Sequence, residues 1–498
     1  MTTVIPRINE PEIFIGFVSP IGADVKSTIR EFRDYFESVG YNVIEIKVTN
    51  VFRVLRNYIS PSNPLVERPL FERYESYIAY GDQLRAHFDE DALFSITTIA
   101  RIARLRARRS LRAEKNVFLI HQFKRKEEID LLRSIYGRLF LQVSVYSRRG
   151  ARVDHLSREF AKSADVAGPA KFRYKAEKLI QDDENESEEP HGQRVGSIFH
   201  DADFIVSLDS ARTLRYQIYR FCELVFGSNK ISPTHFEYGM FLAKAAALRT
   251  LDLSRQVGAA IFSNTGEIIS LGSNEVPKAL GGTYWSDGNF DYREYRRGVD
   301  SNDQRKREIL SEILRIVGIE DVEKALNSKG LKDSQFMDAL EYGRIVHAEM
   351  SAISDAARRG TSVSEGVLYS TTFPCHMCAK HIVAAGISRV VFLEPYPKSL
   401  AFDLHADALE IEGGDRGQFD RYPSVKFEHF YGVTPIRYRE LFQRGKRKDQ
   451  SGVFVEYQGG QRRPYIDLKV PVYLNLERNI FEKASSLLAD LADQEFGD

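Results

Sequence analysis

His347-Ala-Glu349, followed 28 residues after the histidine by Pro374-Cys375-His376-Met377-Cys378, constrains this 498-residue chain more than any other feature. Two cysteines separated by two residues at the start of a helix can aim both sulfurs at one tetrahedral ion, and the histidine supplies a third ligand. The two halves must therefore meet in space, and each opens a predicted helix, HAEMSAISDAARR in the first case and the segment after Cys375 in the second. Three such ligands with an open fourth position make a catalytic zinc site holding a water, whose pKa the ion brings to about 7. One complete set predicts one zinc per chain. Glu349 sits near a helix N-terminus within reach of that water without being a ligand, which is a general acid/base position. The alternative is a closed structural site, which needs a fourth ligand; His376 and His381 stand nearest.

Composition narrows the surroundings of this motif. At roughly 100–200 residues per domain, the length argues for two to four domains. Lys+Arg and Asp+Glu are both 70, so a bulk nucleic-acid or membrane binder is excluded and any such contact must be a local patch. Hydrophobic residues at 43% and charged residues at 28% are ordinary for a globular chain. No run approaches the ~18–20 apolar residues of a membrane helix. MTTVIPRINE lacks the basic and then apolar pattern of a secretory signal, so a cytoplasmic protein without a membrane partner is expected. Cys222, Cys375 and Cys378 form no disulfide framework, and Cys222, within YRFCELVF, reads as a small buried hydrophobe.

Near the N-terminus, the apolar run Ile13–Val18, a glycine turn, a helical pattern over Ser27–Ser38 and a second run Asn42–Val48 read as a βαβ unit. Further strands are predicted at Asn116–His121, Leu139–Tyr146 and Ala202–Leu208, giving an α/β domain with a parallel, P-loop-like sheet over 1–232. The segment from Gly16 through Gly22 to Lys26 and Ser27 offers a phosphate the N–H groups of a helix N-terminus. A true phosphate loop would carry Lys and Ser/Thr directly after the second glycine, where Ala23 and Asp24 stand. Nucleotide binding at Gly16, Gly22, Lys26 and Ser27 therefore competes with a degenerate, non-hydrolysing loop. RIARLRARRSLR (101–112) carries six arginines, suited to RNA, to a phosphorylated nucleotide or to a solvated helix face. QDDENESEEP (181–190) reads as a solvated loop.

A second domain is expected over 233–445, opening with a helix at 234–250 and a hairpin of Gly258–Ser263 and Glu267–Leu271. A charged insertion at 279–340 holds the only tryptophan, Trp285. Strands at Gly366–Tyr369 and Arg389–Leu393 follow, with a helix around 399–410. A C-terminal extension, 446–498, follows the RGKRK run (444–448), with strand-like residues at Val453–Tyr457 and an amphipathic helix around 476–492.

The order H-x-E…P-C-x-x-C is the signature of zinc nucleobase deaminases, and over roughly 234–440 the chain resembles the cytidine and deoxycytidylate deaminase superfamily. That resemblance implies a three-layer α/β/α domain. The helix that follows the strand after PCxxC is similar to the dCMP and tRNA adenosine deaminase branch, whose last two strands run parallel. In that branch an asparagine at the end of the second strand contacts the nucleotide sugar, a place held here by Asn274, which a simple turn would also explain. The flanks EYGMFLAKAAALRTLDLSRQVGAAIF, SNEVPKALGG, LEPYPKSLAFDLHADAL and FYGVTPIRYRELF resemble the anti-phage dCTP deaminases. Those join a P-loop-kinase-like domain to a deaminase domain and deplete dCTP on infection. A small RNA or protein regulator holds the enzyme off beforehand, and the superfamily implies a homo-oligomer.

The expectation is hydrolytic deamination of free deoxycytidine nucleotides, dCTP to dUTP and dCMP to dUMP. Glu349 is its catalytic residue, His347, Cys375 and Cys378 its zinc ligands, and Asn274, Tyr396 and Lys398 its substrate contacts. The turn at 396–398 would bring an aromatic face and a cation, or would simply end a strand. Rivals are a housekeeping dCMP deaminase of pyrimidine salvage, a polynucleotide deaminase acting on a flipped base, and a nucleotide sensor without turnover.

Overall fold

Parallel strands covered on both faces are unbroken apolar runs, and β1 (Ile13–Val18) and β3 (Asn116–His121) are buried along their whole length. β2 (Asn42–Lys47) alternates exposed and buried residues, as an edge strand does. With β4 (Phe140–Tyr146) and β5 (Phe204–Ser207) they form an all-parallel array in the order β5-β4-β1-β3-β2. One face, through Ile13, Ile15 and Phe17, packs on the helices Val25–Ser38 and Leu214–Val225. On the other, Phe14 stacks on Tyr136 at 3.7 Å and meets Tyr473 edge-on at 5.8 Å. The computed structural model describes residues 8–184, 189–210, 212–395, 399–457, 463–466 and 468–495. No helix among them is long and apolar enough to cross a membrane.

The chain divides into two compact units, Met1–Pro233 with Tyr431–Asp498, and Thr234–Phe430. The boundaries drawn from sequence at 445 and 446 therefore do not separate folding units. Gly432–Val433 pairs antiparallel with β5. Buried Arg437 then bonds Asp203 at 2.8 Å and the carbonyl of Phe140 at 2.8 Å, which ties the return segment into the first sheet. The RGKRK run is structural in part, since Arg444 donates to the carbonyl of Leu224 at 2.8 Å. Val453–Tyr457 forms no strand beyond an isolated bridge at Phe454.

Two charged stretches have structural work. Residues 181–184 of the acidic stretch end the helix Arg173–Glu184, and 185–188 lie outside the described residues. Asp183 is fully buried, accepting from Ile21 N at 2.7 Å and Lys124 Nζ at 2.5 Å, so this part is not a solvated loop. In the basic run, the helix Leu93–Arg108 aims Arg106 inward, between Glu12 at 2.7 Å and Glu477 of the terminal helix Tyr473–Glu495. Tyr136, Tyr473 and Asn116 donate to the same two carboxylates. Burial pushes the Glu477 carboxyl up, against the pull of Arg106.

The second unit has a mixed sheet, β10-β11-β9-β8-β6-β7. β6 (Gly258–Phe262) and β7 (Ile268–Ser273) form the expected hairpin, and β8 (Val367–Thr372) joins β6 antiparallel. β9 (Arg389–Glu394), β10 (Leu409–Ile411) and β11 (Val425–His429) extend it in parallel from β8. The helix expected over 399–410 stops at His405, because buried Leu409 turns the chain into β10. Ala259 and Ile261 pack on the helix Ala348–Arg358, while the opposite face of β6 lies against the helix His235–Ala247.

Removing one partner of a buried ion pair typically costs about 3–5 kcal/mol, because the remaining charge is left uncompensated. Arg106→Ala would leave Glu12 and Glu477 facing each other across a dry core. It should lower the stability of the first unit by that amount, read from the denaturant midpoint of its unfolding transition. A loss below about 1 kcal/mol would mean that the pair adds no more than an exposed one does.

Candidate metal centre and active site

His347 is the N-cap of the helix Ala348–Arg358, and Cys375 is the N-cap of the helix His376–Ala384. Both ligand-bearing segments thus enter at helix starts, which lets Cys378, one turn in, turn its sulfur back toward Cys375. His347 Nδ1 lies 3.2 Å from Cys375 Sγ and 3.4 Å from Cys378 Sγ, and the three ligand atoms fall within 4.8 Å of one another. A tetrahedral zinc with its usual bond lengths needs about 3.5 Å between nitrogen and sulfur. The donor set and its spacing fit zinc.

The electrostatics fit it too. Hydrogen bonding from Cys378, and then from His347, holds the Cys375 thiol well below the usual cysteine range despite its burial. Its bond to Cys375 draws the His347 ring up despite burial, and Cys375 and burial push Cys378 up. His376, 3.8 Å from Glu341, and exposed His381 stand outside the cluster, so neither supplies the fourth ligand of a closed site.

Glu349 occupies the first turn of its helix, 4% exposed. One carboxylate oxygen accepts from Ser370 Oγ at 3.1 Å and the other faces Cys378 Sγ at 3.3 Å. Burial, and then the charge of Cys375, raises its affinity for a proton. A carboxyl group held beside a three-ligand cluster, but not part of it, can take and return a proton at an atom bound there.

Asn274 is buried, and its amide is engaged by the protein itself. Its oxygen accepts from Val257 N at 2.8 Å, and its nitrogen donates to Asp252 at 2.5 Å and to the carbonyl of Arg255 at 2.7 Å. It fixes the loop before β6, and one acceptor lone pair remains. Tyr396 and Lys398 lie outside the described residues. Sequence reading missed Ser370 and Asp252. Ser370 falls just past the strand read from sequence, at the start of a Ser-Thr-Thr run that the fold buries; Asp252, whose charge reaches His347, is linked to Asn274 only through folding.

In the first unit, Gly22, Lys26 and Ser27 meet at the junction of a turn and the helix Val25–Ser38, but Gly16 lies inside β1. A Cβ there would fall 2.7 Å from the Phe140 ring, so Gly16 serves packing and not a loop. Asp24 caps the helix, accepting from Ser27 N at 3.0 Å and Ser27 Oγ at 2.6 Å. A carboxylate of the chain therefore holds the place a phosphate would take.

The helix bearing His347 and Glu349 reaches its position through Gly272 on β7. A Cβ at Gly272 would lie 2.1 Å from the carbonyl oxygen of Ala348 and 2.5 Å from Ala352 N. Wild-type protein should carry one zinc per chain by elemental analysis. Gly272→Val should fall well below that, because its side chain forces the helix off the sheet and His347 away from the sulfurs. A Gly272→Val protein with full zinc would show that this contact does not set the metal site.

Residues 233–394 match the family model of the cytidine and deoxycytidylate deaminase zinc-binding region. A probable deoxycytidylate deaminase of Drosophila melanogaster is 31% identical over 159 residues, 32% of this chain and 58% of that protein. The human deoxycytidylate deaminase is 29% identical over 157 residues, 32% of this chain and 63% of the relative. The chain thus spans about three-fifths of the length of these relatives. The apo crystal structure of the dCMP deaminase from cyanophage S-TIM5 aligns with 40% of this chain and all of its own at 16% identity, with a TM-score of 0.22. The second unit of this chain accordingly contains a cytidine and deoxycytidylate deaminase zinc-binding region.

Proposed function

We propose that the protein is a zinc-dependent hydrolytic deaminase of free deoxycytidine nucleotides, acting on dCTP and on dCMP. The observation that carries this reading is Glu349, buried and hydrogen-bonded beside a cluster of three metal ligands to which it does not belong. Zinc, when bound by His347, Cys375 and Cys378, supplies Lewis acidity that makes water a nucleophile near neutral pH. Glu349 takes a proton from the water that adds at C4 of cytosine and delivers it to N3. It then takes the second proton from the hydroxyl now on C4 and passes it to the amino group, so the C4–N bond breaks as the C4 carbonyl forms, and cytosine plus water become uracil plus ammonia. Its raised proton affinity suits a group that must hold the proton between these transfers. Ser370 keeps the carboxylate oriented through its hydrogen bond.

The dCTP preference, and a role in starving phage replication of dCTP, rest on the flanking resemblances. So do a cytoplasmic homo-oligomer and restraint by a small RNA or protein regulator. The first unit is proposed as a degenerate P-loop-like domain, supported by the parallel order β5-β4-β1-β3-β2 and the turn after β1. The capping carboxylate of Asp24 argues for a loop without phosphoryl transfer. A second reading, dCMP deamination in pyrimidine salvage, is favoured by relatives named as deoxycytidylate deaminases. Ammonia release from dCTP, dCMP, CTP and single-stranded DNA separates these readings from a polynucleotide enzyme.

Glu349→Ala should keep its zinc and fold normally, yet lose deamination by about 10²–10⁴-fold, the usual worth of general acid/base catalysis. Elemental analysis and ammonia release on the same preparation check both halves. A zinc-loaded variant working at the normal rate would move the proton shuttle to another residue.

A further inference from the structure

A pocket of 90 Å³ in the first unit gathers four cations, Lys47, Arg53, Arg56 and Arg73, around a single acid, Glu67. The acid is already engaged, accepting from Tyr77 Oη at 2.8 Å and Arg73 Nε at 3.3 Å. Among the described residues, Arg73–Glu67 is the one ion pair within the pocket, which leaves Lys47, Arg53 and Arg56 without a carboxylate there. Lys47 is exposed at the end of β2, yet partial desolvation within the pocket, and then the charges of Arg73, Lys26 and Arg53, hold its ammonium below the usual lysine range, only partly offset by Glu67.

The cations come from three separate elements, so this is not the solvated face of one helix. Lys47 ends β2, Arg53 lies in the helical turn Phe52–Leu55 with Arg56 just after it, and Arg73 is on the helix Leu70–Phe88. Lys47 pairs in register with His121 at the end of β3, next to Phe17 of β1. The pocket therefore opens at the carboxyl ends of the parallel strands, the side on which open α/β sheets take their ligands.

We propose that this pocket binds a phosphate-bearing small ligand, a nucleotide or a free polyphosphate. Guanidinium groups present forked donors that match phosphate oxygens, and an ammonium adds a point charge. Bound phosphate would supply the anion that Lys47, Arg53 and Arg56 lack. The pocket is lined by other residues than the junction of Gly22, Lys26 and Ser27, where Asp24 accepts the helix N–H, although the charge of Lys26 reaches Lys47, and the proposal stands independently of the deaminase reading.

Calorimetric titration of the full-length protein with ATP, inorganic tripolyphosphate and a single-stranded RNA oligonucleotide tests it. ATP or tripolyphosphate should bind the wild type. The double variant Arg53→Ala/Arg56→Ala, both exposed positions, should weaken that binding by about tenfold or more, as loss of charge-assisted hydrogen bonds does. Lys47→Gln, on another wall, should weaken it too, and Arg104→Ala, exposed on a different helix, should leave it unchanged. Tighter binding of ATP than of tripolyphosphate assigns the site to a nucleotide, and equal binding to the phosphates alone. The proposal is overturned if neither small ligand binds, if both bind the double variant as well as the wild type, or if only the RNA shows dependence on Arg53 and Arg56.

Discussion

The metal centre depends on how closely one helix can approach one strand. Side chains normally hold a helix axis well away from a sheet, and the N-terminal turn of Ala348–Arg358 instead touches the backbone of β7. Gly272 makes this possible, because any Cβ there would occupy the space of the Ala348 carbonyl. Alanines at 348, 352 and 356 continue the close contact along the helix. The same device recurs on the other face, where Gly258 of β6 meets Ala243 and Ala247. The sheet is thus clamped between two helices at backbone distance, and small residues, not large ones, determine where His347 and Glu349 stand.

That placement sets the electrostatics of the site. Burying a carboxyl group and two thiols together is unfavourable unless charge is shared or neutralised. Here the groups face one another as donor and acceptor: the Cys378 thiol donates to Glu349, and His347 Nδ1 lies within hydrogen-bond distance of both sulfurs. A divalent cation at this point would relieve the clustered negative charge, which is why the pocket is prepared for a metal and a proton carrier at once. Ser370, donated from β8, is the neutral partner that keeps Glu349 oriented without taking its proton.

The motif was legible in sequence because its chemistry is local. His347 and Glu349 share one helix start, Cys375 and Cys378 another, and their spacing alone brings the ligands onto common faces. The unbroken apolar runs of β1 and β3 and the hairpin β6–β7 were legible for a similar reason, since burial on one or both faces is written into short stretches. What escaped was set by distant partners. Arg106 looks like any arginine in a basic run until Glu12 and Glu477, 371 residues further on, enclose it. Asp183 looks solvated until Ile21 and Lys124 claim it. Asn274 was singled out as a substrate contact, and its amide is bound by a loop that no local pattern links to it.

The same distant contacts explain why the boundary near 445 does not match the division of the chain, whereas that at 232/233 lies within one residue of it. A break in composition near 445 marks a surface segment, not the edge of a core. The first sheet needs cover on both faces, and the helix Val25–Ser38 with Leu214–Val225 supplies only one of them. Tyr473 closes against Phe14 on the other face, and the terminal helix adds Glu477 to the buried charge around Arg106. The second unit is therefore an insertion between β5 and the strand at Gly432, which pairs with β5. The part of the first unit from Tyr431 onward follows the second unit in the chain, so the first unit cannot complete its core until the whole of 234–430 has been synthesised.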